Sequence, residues 1–480
     1  LASNFGFLLV AEVACRGASL VATLALTERL RAEGFGRVEF SFNVVFWLVL
    51  IVRDCFETII TREIARHPAI TRSLVNRVLA LKFATATGLY AVMLAVAALG
   101  TDEPADIRIL SLYGLLLFST SAGLDFVFRG KERVGLVAVS LCLRTTIYCL
   151  GVLTWVRSPA DIEWVPAWLV GGEAVGIALV WLVYSRSYGL PRPRLSTRFL
   201  AVVIRRGRSV AVIQICQAVL VTADLMVVGL LTSWSDVGRY SAPQRMVAAL
   251  MAFGLIVQQV LLPSMARNWR RSEESGRQVF EFAVRLLMLV FIPIAVGGTV
   301  LAEPLSQRLF PSSFSDAGRL LAIGVWRAPL LSLAFLYQTA LIAMNRETAG
   351  VRLLVGGAVA CTPLIALGHV SHGLAGASYG VMATALILVL AGYACMAREG
   401  RAPAWHHHVL IPFVSALAMI PICRWAQERS LVIAIGGSAA VYAILIVLLG
   451  GFRGLMELRP SPARLVSSCE GRAHAGQGSA

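Results

Sequence analysis

The chain has 480 residues, 58% of them hydrophobic and 15% charged, with a formal net charge of +16. An apolar window of about 19 residues recurs from end to end, and no interval between the runs is long enough for a soluble domain. That excludes a soluble enzyme, and because the runs are continuous rather than alternating it excludes a β-barrel too; the chain reads as an all-α polytopic membrane protein.

About fourteen spans of roughly 20 residues fit the chain, each long enough for a ~30 Å hydrocarbon core at ~1.5 Å per residue. They start near Phe5, Phe40, Val78, Ile107, Val134, Trp164, Ser209, Pro243, Phe280, Ala317, Thr348, Leu374, Val409 and Leu431. No cleavable signal peptide is read at the start. Leu1 lies almost on the first span, as if a short cytoplasmic start preceded it or a non-standard start codon had been read literally. The first span carries Glu12 and Arg16, four apart on one face. The second carries Arg53, Asp54 and Glu57 nearer its end, where snorkelling to the interface competes with a role inside. Asp125, closing the fourth span, reads as interfacial. Arg144 in the fifth has no charge one turn away and requires a partner on another helix, as does Glu173 in the sixth.

After the sixth span comes the longest extramembrane run, basic and carrying Pro191 and Pro193. Gln214, Gln217 and Asp224 then line one span, Gln258 and Gln259 another, and Arg285 and Arg327 read as end-of-span topology signals. Pro293, Pro329 and Pro363 fall inside spans and loosen them. His369 and His372 flank a turn with no acidic third ligand, so no metal is expected there. Gly376 and Gly380 form a small-residue packing pair. His406, His407 and His408 read as surface, and the tail after Arg453 as polar and disordered. The nine cysteines contain no CxxC pair, and are read as apolar core rather than a disulfide framework or zinc site.

The charge is distributed as a topology signal, not as a nucleic-acid surface. Alternate connections hold the arginines: Arg62, Arg66, Arg72 and Arg77; Arg129 and Arg133; Arg186 to Arg208; Arg267, Arg270, Arg271 and Arg277. The opposite connections are sparse or acidic, as at Asp102, Glu103 and Asp106. The positive-inside rule places the rich set, and both termini, in the cytoplasm.

The halves repeat. Phe35-Gly36-Arg37 recurs as Val237-Gly238-Arg239, 202 positions on, and Ile64-Ala65-Arg66 matches Met265-Ala266-Arg267. The topology is the same in both halves, so the repeat is parallel, about an axis along the membrane normal. It aligns Glu12 with Gln214 and Asn43 with Arg245, the pattern of a pseudo-symmetric cavity with one ionised wall. The expected organisation is a six-helix lobe (1–185), a basic cytoplasmic linker (186–208), a second six-helix lobe (209–400), two extra helices (401–452) and the tail (453–480).

An ionised group near the centre of a span costs roughly 2.5–3.5 kcal/mol and therefore marks a partner or a watery cavity. Arginine suits phosphate, because its planar fork gives two parallel hydrogen bonds and stays charged. Arg16, Arg53 and Arg144 are the candidate phosphate or pyrophosphate ligands, and Glu12, Asp54 and Glu57 the candidate sites for a coupling cation or proton.

Glu33-Gly34-Phe35-Gly36, then Asp54 followed by Arg62-Glu63-Ile64-Ala65-Arg66, the exit Leu124-Asp125-Phe126-Val127-Phe128-Arg129-Gly130, and Val237-Gly238-Arg239-Tyr240 together carry a resemblance. The chain resembles the O-antigen translocase (Wzx-like) flippases of the MATE-like flippase and exporter superfamily, over most of its length to about residue 450. Where that family commonly shows Asp-Leu-Gly-Leu, this chain has Asp54-Cys55-Phe56-Glu57. The resemblance implies a V-shaped pair of six-helix lobes plus two helices. It implies no enzyme and no cofactor, but a flippase in a bacterial inner membrane that moves a polyprenyl-pyrophosphate-linked glycan outward by alternating access. Proton or sodium coupling, and polymerase or glycosyltransferase partners, come with that reading. Two rivals stay open: a multidrug exporter of the same superfamily, disfavoured by the buried arginines, and a membrane-embedded polymerase or glycosyltransferase, disfavoured by the short outer connections.

Overall fold

Residues 2–100, 103–400 and 405–449 are described by the computed structural model, except the side chains of 2–10, 54, 55, 197, 204, 206, 259 and 405–408. The tail 453–480 and the side chains of Asp54, His406, His407 and His408 thus lie outside the described residues.

The described chain is helices joined by turns, as a bilayer demands, since every backbone N–H and C=O must be satisfied within the segment. In order these are α1 (Ala2–Arg66), α2 (Thr71–Gly100), α3 (Pro104–Ala122), α4 (Asp125–Gly130) and α5 (Val134–Trp155). There follow α6 (Trp164–Tyr188), α7 (Thr197–Leu231), α8 (Trp234–Arg271), α9 (Glu273–Leu309) and α10 (Ala317–Gly324). The last are α11 (Arg327–Ala343), α12 (Glu347–Arg398), α13 (Trp405–Ala418), α14 (Ile420–Gln427) and α15 (Leu431–Leu448). Among the described residues, eleven helices, some joined across a short break, are long and apolar enough to cross a membrane. Large apolar side chains such as Leu99, Val370 and Val432 stay exposed, as lipid-facing residues do.

Two helices are too long for one crossing. α12 has 52 residues, about 78 Å at ~1.5 Å each. It turns back at His372 and at Gly373, whose φ of 61° favours glycine. Its arms lie so close that a Cβ on Gly376 would stand 1.8 Å from the Gly368 carbonyl oxygen, which is the packing expected of Gly376 and Gly380. α1, at 65 residues, bends at Arg31. Where helices break inside the bundle, side chains take up the free carbonyls. At the end of α3, the Trp181 indole donates to the Ala122 carbonyl at 2.7 Å and Lys82 to Gly123 at 3.4 Å.

The apolar cores define the lobes. One cluster, around Phe280, Phe291, Leu331 and Tyr337, belongs to the second half and takes in α13 to α15, with the Tyr442 hydroxyl donating to the Leu289 carbonyl at 2.8 Å. A second, around Ile64, Val78, Phe126 and Tyr184, belongs to the first half and reaches Val203 at the start of α7. A third joins the halves, bringing Phe35, Val38 and Tyr113 against Ala242, Phe310 and Phe314. The lobes therefore share a core at the Phe35 end and keep separate cores toward Arg66 and Arg271.

The repeat read from the sequence makes that junction. A Cβ on Gly36 would lie 1.9 Å from the Trp234 carbonyl oxygen, and one on Gly238 would lie 1.9 Å from the Ala32 carbonyl oxygen. Each repeat glycine sits on the carbonyl four residues before its counterpart, so α1 and α8 cross about a pseudo-twofold axis.

Candidate functional site

Below this crossing lies a cavity of about 220 Å³ between the halves. On α1 it is faced by Glu39, Phe42, Asn43 and Phe46, a three-and-four spacing that puts all four on one side of a helix. α8 presents Tyr240, Gln244, Arg245 and Met251; α7 supplies Thr222 and Asp224, and α11 its first residue, Arg327. Asn43 and Arg245, aligned by the repeat, thus share one cavity, and the Asn43 amide donates across it to the Thr222 carbonyl at 3.2 Å.

Two ion pairs set the electrostatics. Arg245 holds Glu39 through Nη2 at 2.7 Å and Nε at 2.8 Å, linking α8 to α1. Its guanidinium lies 5.0 Å from the centre of the Phe42 ring, a cation–π contact. The pair is lopsided: the Glu39 side chain is 6% exposed and that of Arg245 37%. Arg245 therefore keeps an open face on the cavity while its carboxylate is enclosed. The second pair is sealed. Arg327 meets Asp224 at 2.6 Å, with side chains 6% and 3% exposed. It also donates to the carbonyls of Leu220, at 3.3 Å, and Val221, and Asp224 accepts from the Tyr240 hydroxyl at 2.9 Å. Buried Nε of Arg327 and Oδ1 of Asn43 have no hydrogen-bond partner in the structure.

The sequence-read candidates lie elsewhere. Glu12 and Arg16 pair with each other at 3.0 Å on the first arm of α1, both partly exposed. Arg53 is exposed on the second arm. Glu57 is held at 2.7 Å by Lys82 of α2, whose side chain is fully enclosed, with its ammonium 5.6 Å from the Phe126 ring centre. Arg144 binds both oxygens of Asp125 at 3.1 and 2.9 Å, Glu173 at 3.1 Å and the Ser140 hydroxyl at 3.1 Å. It thereby finds the partners on other helices that its isolation requires, and Asp125 and Glu173 are those partners. The stem of Arg144 crosses the face of α6 at Gly176, where a Cβ would come within 2.4 Å of it. None of the five described candidates lines the central cavity.

Two readings change. Arg327 is not an end-of-span topology signal but a buried ion, because Asp224 and two carbonyls of α7 converge on it. His369 and His372 do have acidic neighbours, since Asp236 and Asp316 line the same recess. Even so, no group of three or more metal-ligating side chains is found among the described residues. Glu39 was missed altogether: it lies in a short polar stretch after the first turn, and only the repeat, through Arg245, pointed at its surroundings.

A family model described as "Polysaccharide biosynthesis protein" matches residues 1–269. The chain is also similar to a curated Haloferax volcanii protein, the "Probable low-salt glycan biosynthesis flippase Agl15". The two are 24% identical over 330 residues, 68% of this chain and 66% of that one, so the match spans just under two thirds of the relative. Among solved structures it resembles the lipid II flippase MurJ in an inward closed conformation, with TM-score 0.75 and 12% identity over 94% of this chain and 99% of that one. An inward-facing multidrug resistance MATE family transporter follows at TM-score 0.58 and 11% identity, over 90% and 96% of the two chains. At such identities the likeness speaks for the fold, a multi-pass membrane bundle of MATE type.

Proposed function

We propose that this chain, which belongs to the polysaccharide biosynthesis protein family, is a flippase that moves a polyprenyl-pyrophosphate-linked oligosaccharide from the cytoplasmic to the outer leaflet. The observation that carries the reading is the lopsided Glu39–Arg245 pair in the cavity between the lobes. A pyrophosphate entering there meets the open side of an arginine already fixed in place, and its oxygens compete with Glu39 for the same donors. Parting α1 from α8 separates the pair and leaves Arg245 to the phosphate. The sugar rides in the hydrated cavity and the prenyl tail stays between the lobes in lipid. A glycan-flippase relative supports the substrate class, and the shared core at the Phe35 end supports a cavity that opens toward the arginine-rich face.

In this reading Arg16 and Arg53 are further phosphate contacts on α1, and Arg144 reaches substrate only by giving up Asp125 and Glu173. Coupling runs through Glu12, Asp54 and Glu57. A proton or sodium ion arriving at Glu12 or Glu57 displaces Arg16 or Lys82, which turns ion entry into a change of charge on the lobe wall. The membrane is the bacterial cytoplasmic one, with both termini inside, and a polymerase or glycosyltransferase works next to the flippase. The aromatic lining from Phe42 and Phe46 favours a drug exporter as the second reading.

The test is the lipid-linked pool of a deletion strain. Complete repeat units should accumulate on the cytoplasmic side, and Arg245→Ala should not relieve the block. Truncated or unlinked sugars instead defeat the proposal in favour of an enzyme, and altered drug resistance with a normal pool defeats it in favour of the exporter.

A further inference from the structure

A second recess lies away from the central cavity, where the start of α2 meets the linker before α7. Arg72, Ser73, Asn76 and Arg77 of α2 and Arg194 of the linker surround about 380 Å³ there. The linker is not draped loosely. The Arg192 N–H donates to Oδ1 of Asn76 at 2.8 Å and the Arg194 N–H to the Asn76 carbonyl at 3.0 Å. A single asparagine thus clamps two residues of an otherwise irregular segment and carries Arg194 to the two arginines of α2. Arg77 is placed in turn by the Phe199 ring of α7, 5.9 Å from its guanidinium.

Three arginines therefore line one opening, and no acidic side chain is among its described lining residues. This differs from the sites of Arg37, Arg144, Arg245 and Arg327, each of which meets a carboxylate. Arg72, Arg77 and Arg194 are all solvent-exposed, and since arginine does not shed its proton, an anion from outside can supply the charge that no neighbouring carboxylate provides. The arrangement suits a tetrahedral oxyanion: planar forks from two elements, with the Ser73 hydroxyl beside them. Depth narrows the source. Arg72 stands six residues, about 9 Å along a helix, before the apolar run that begins near Val78, which is headgroup level for a helix entering a bilayer.

We propose that this recess binds a phosphate group, and that an anionic phospholipid headgroup is its source. Bound there, the phosphate ties the linker between the lobes to the first lobe. The proposal is independent of what the central cavity carries.

The experiment uses the full-length protein in phosphatidylcholine nanodiscs with and without phosphatidylglycerol, read by native mass spectrometry of retained lipid, with inorganic phosphate as the second probe. Wild type should retain phosphatidylglycerol over phosphatidylcholine. The triple variant Arg72→Gln, Arg77→Gln, Arg194→Gln should lose that preference by roughly a hundredfold, at about fivefold per basic group. A control removing equal charge elsewhere, Arg186→Gln, Arg270→Gln, Arg271→Gln, should keep it. Should the triple variant fail to fold, Arg194→Gln alone, on the irregular linker, should still lower retention severalfold. Millimolar phosphate that displaces the lipid confirms a phosphate site open to both sources; lipid retention that phosphate leaves unchanged confirms the headgroup alone. Equal loss in triple variant and control, or no phosphatidylglycerol preference in wild type, overturns the proposal.

Discussion

Alanine at Gly36 or Gly238 should open the junction of the lobes. Each new Cβ would start 1.9 Å from a backbone carbonyl oxygen of the opposing helix. Ordinary carbon–oxygen contact is about 3.4 Å, so α1 and α8 must separate by roughly 1.5 Å, and backbone on both sides leaves no side chain to swing away. Overpacking of this kind costs about 1–3 kcal/mol. Because the clash exists only while the helices cross, that penalty falls on the closed arrangement and shifts its population by about 5- to 150-fold. Both glycines share one crossing, so the double variant should cost less than the two singles together. Spin labels at Glu33 and Leu231, both exposed beside the crossing, would report it. The expected result is a longer and broader distance distribution in each variant. Gly88→Ala and Gly135→Ala, where a Cβ meets nothing within 4 Å, should leave it unchanged. An unaltered distribution in Gly36→Ala and Gly238→Ala, with unaltered thermal stability, would show that the crossing is not the tight contact described and refute the reasoning.

Arg327→Ala strands Asp224 in the second lobe and should cost about 3–5 kcal/mol, seen as a collapse in melting temperature and membrane level. An apolar pair of similar volume, Asp224→Leu with Arg327→Met, should recover most of that loss. Arg144→Ala leaves Asp125 and Glu173 without their shared cation, so protein level should fall along with export, whereas Asp125→Asn together with Glu173→Gln should restore level in that background. Glu39→Gln removes the negative charge that competes for Arg245 and should tighten retention of a lipid-linked pyrophosphate while slowing its release, measured as substrate co-purifying with the protein. Looser retention in that variant would mean that Glu39 holds Arg245 in its working position rather than competing for it.

What the sequence discloses here follows how each signal is encoded. Hydrophobic length is local, so the spans from Val78 to Val409 could be drawn one window at a time, and the helices follow them. The repeat is a comparison between distant segments, yet it needs only three residues, Phe35-Gly36-Arg37 against Val237-Gly238-Arg239. It located the crossing because glycine is demanded wherever two backbones touch. The charges resisted because an ion inside a bundle is defined by what comes to it from other helices. Glu12 and Arg16 were legible as a pair because four residues on one helix bring them together. Arg144 announced itself by having no such neighbour, and the answer, Asp125 and Glu173, lay on two other elements. Arg327 gave no warning. It opens α11, where an arginine ordinarily marks the membrane surface, and a short α10 before it is what carries that helix start down into the bundle. There α7 offers it Asp224 together with carbonyls that a straight reading of the chain treats as already spent on the helix. A charge at the end of a helix and a charge at the surface of a membrane are the same statement only when the helix runs the full width of the bilayer, and α11, with 17 residues, spans about 26 Å.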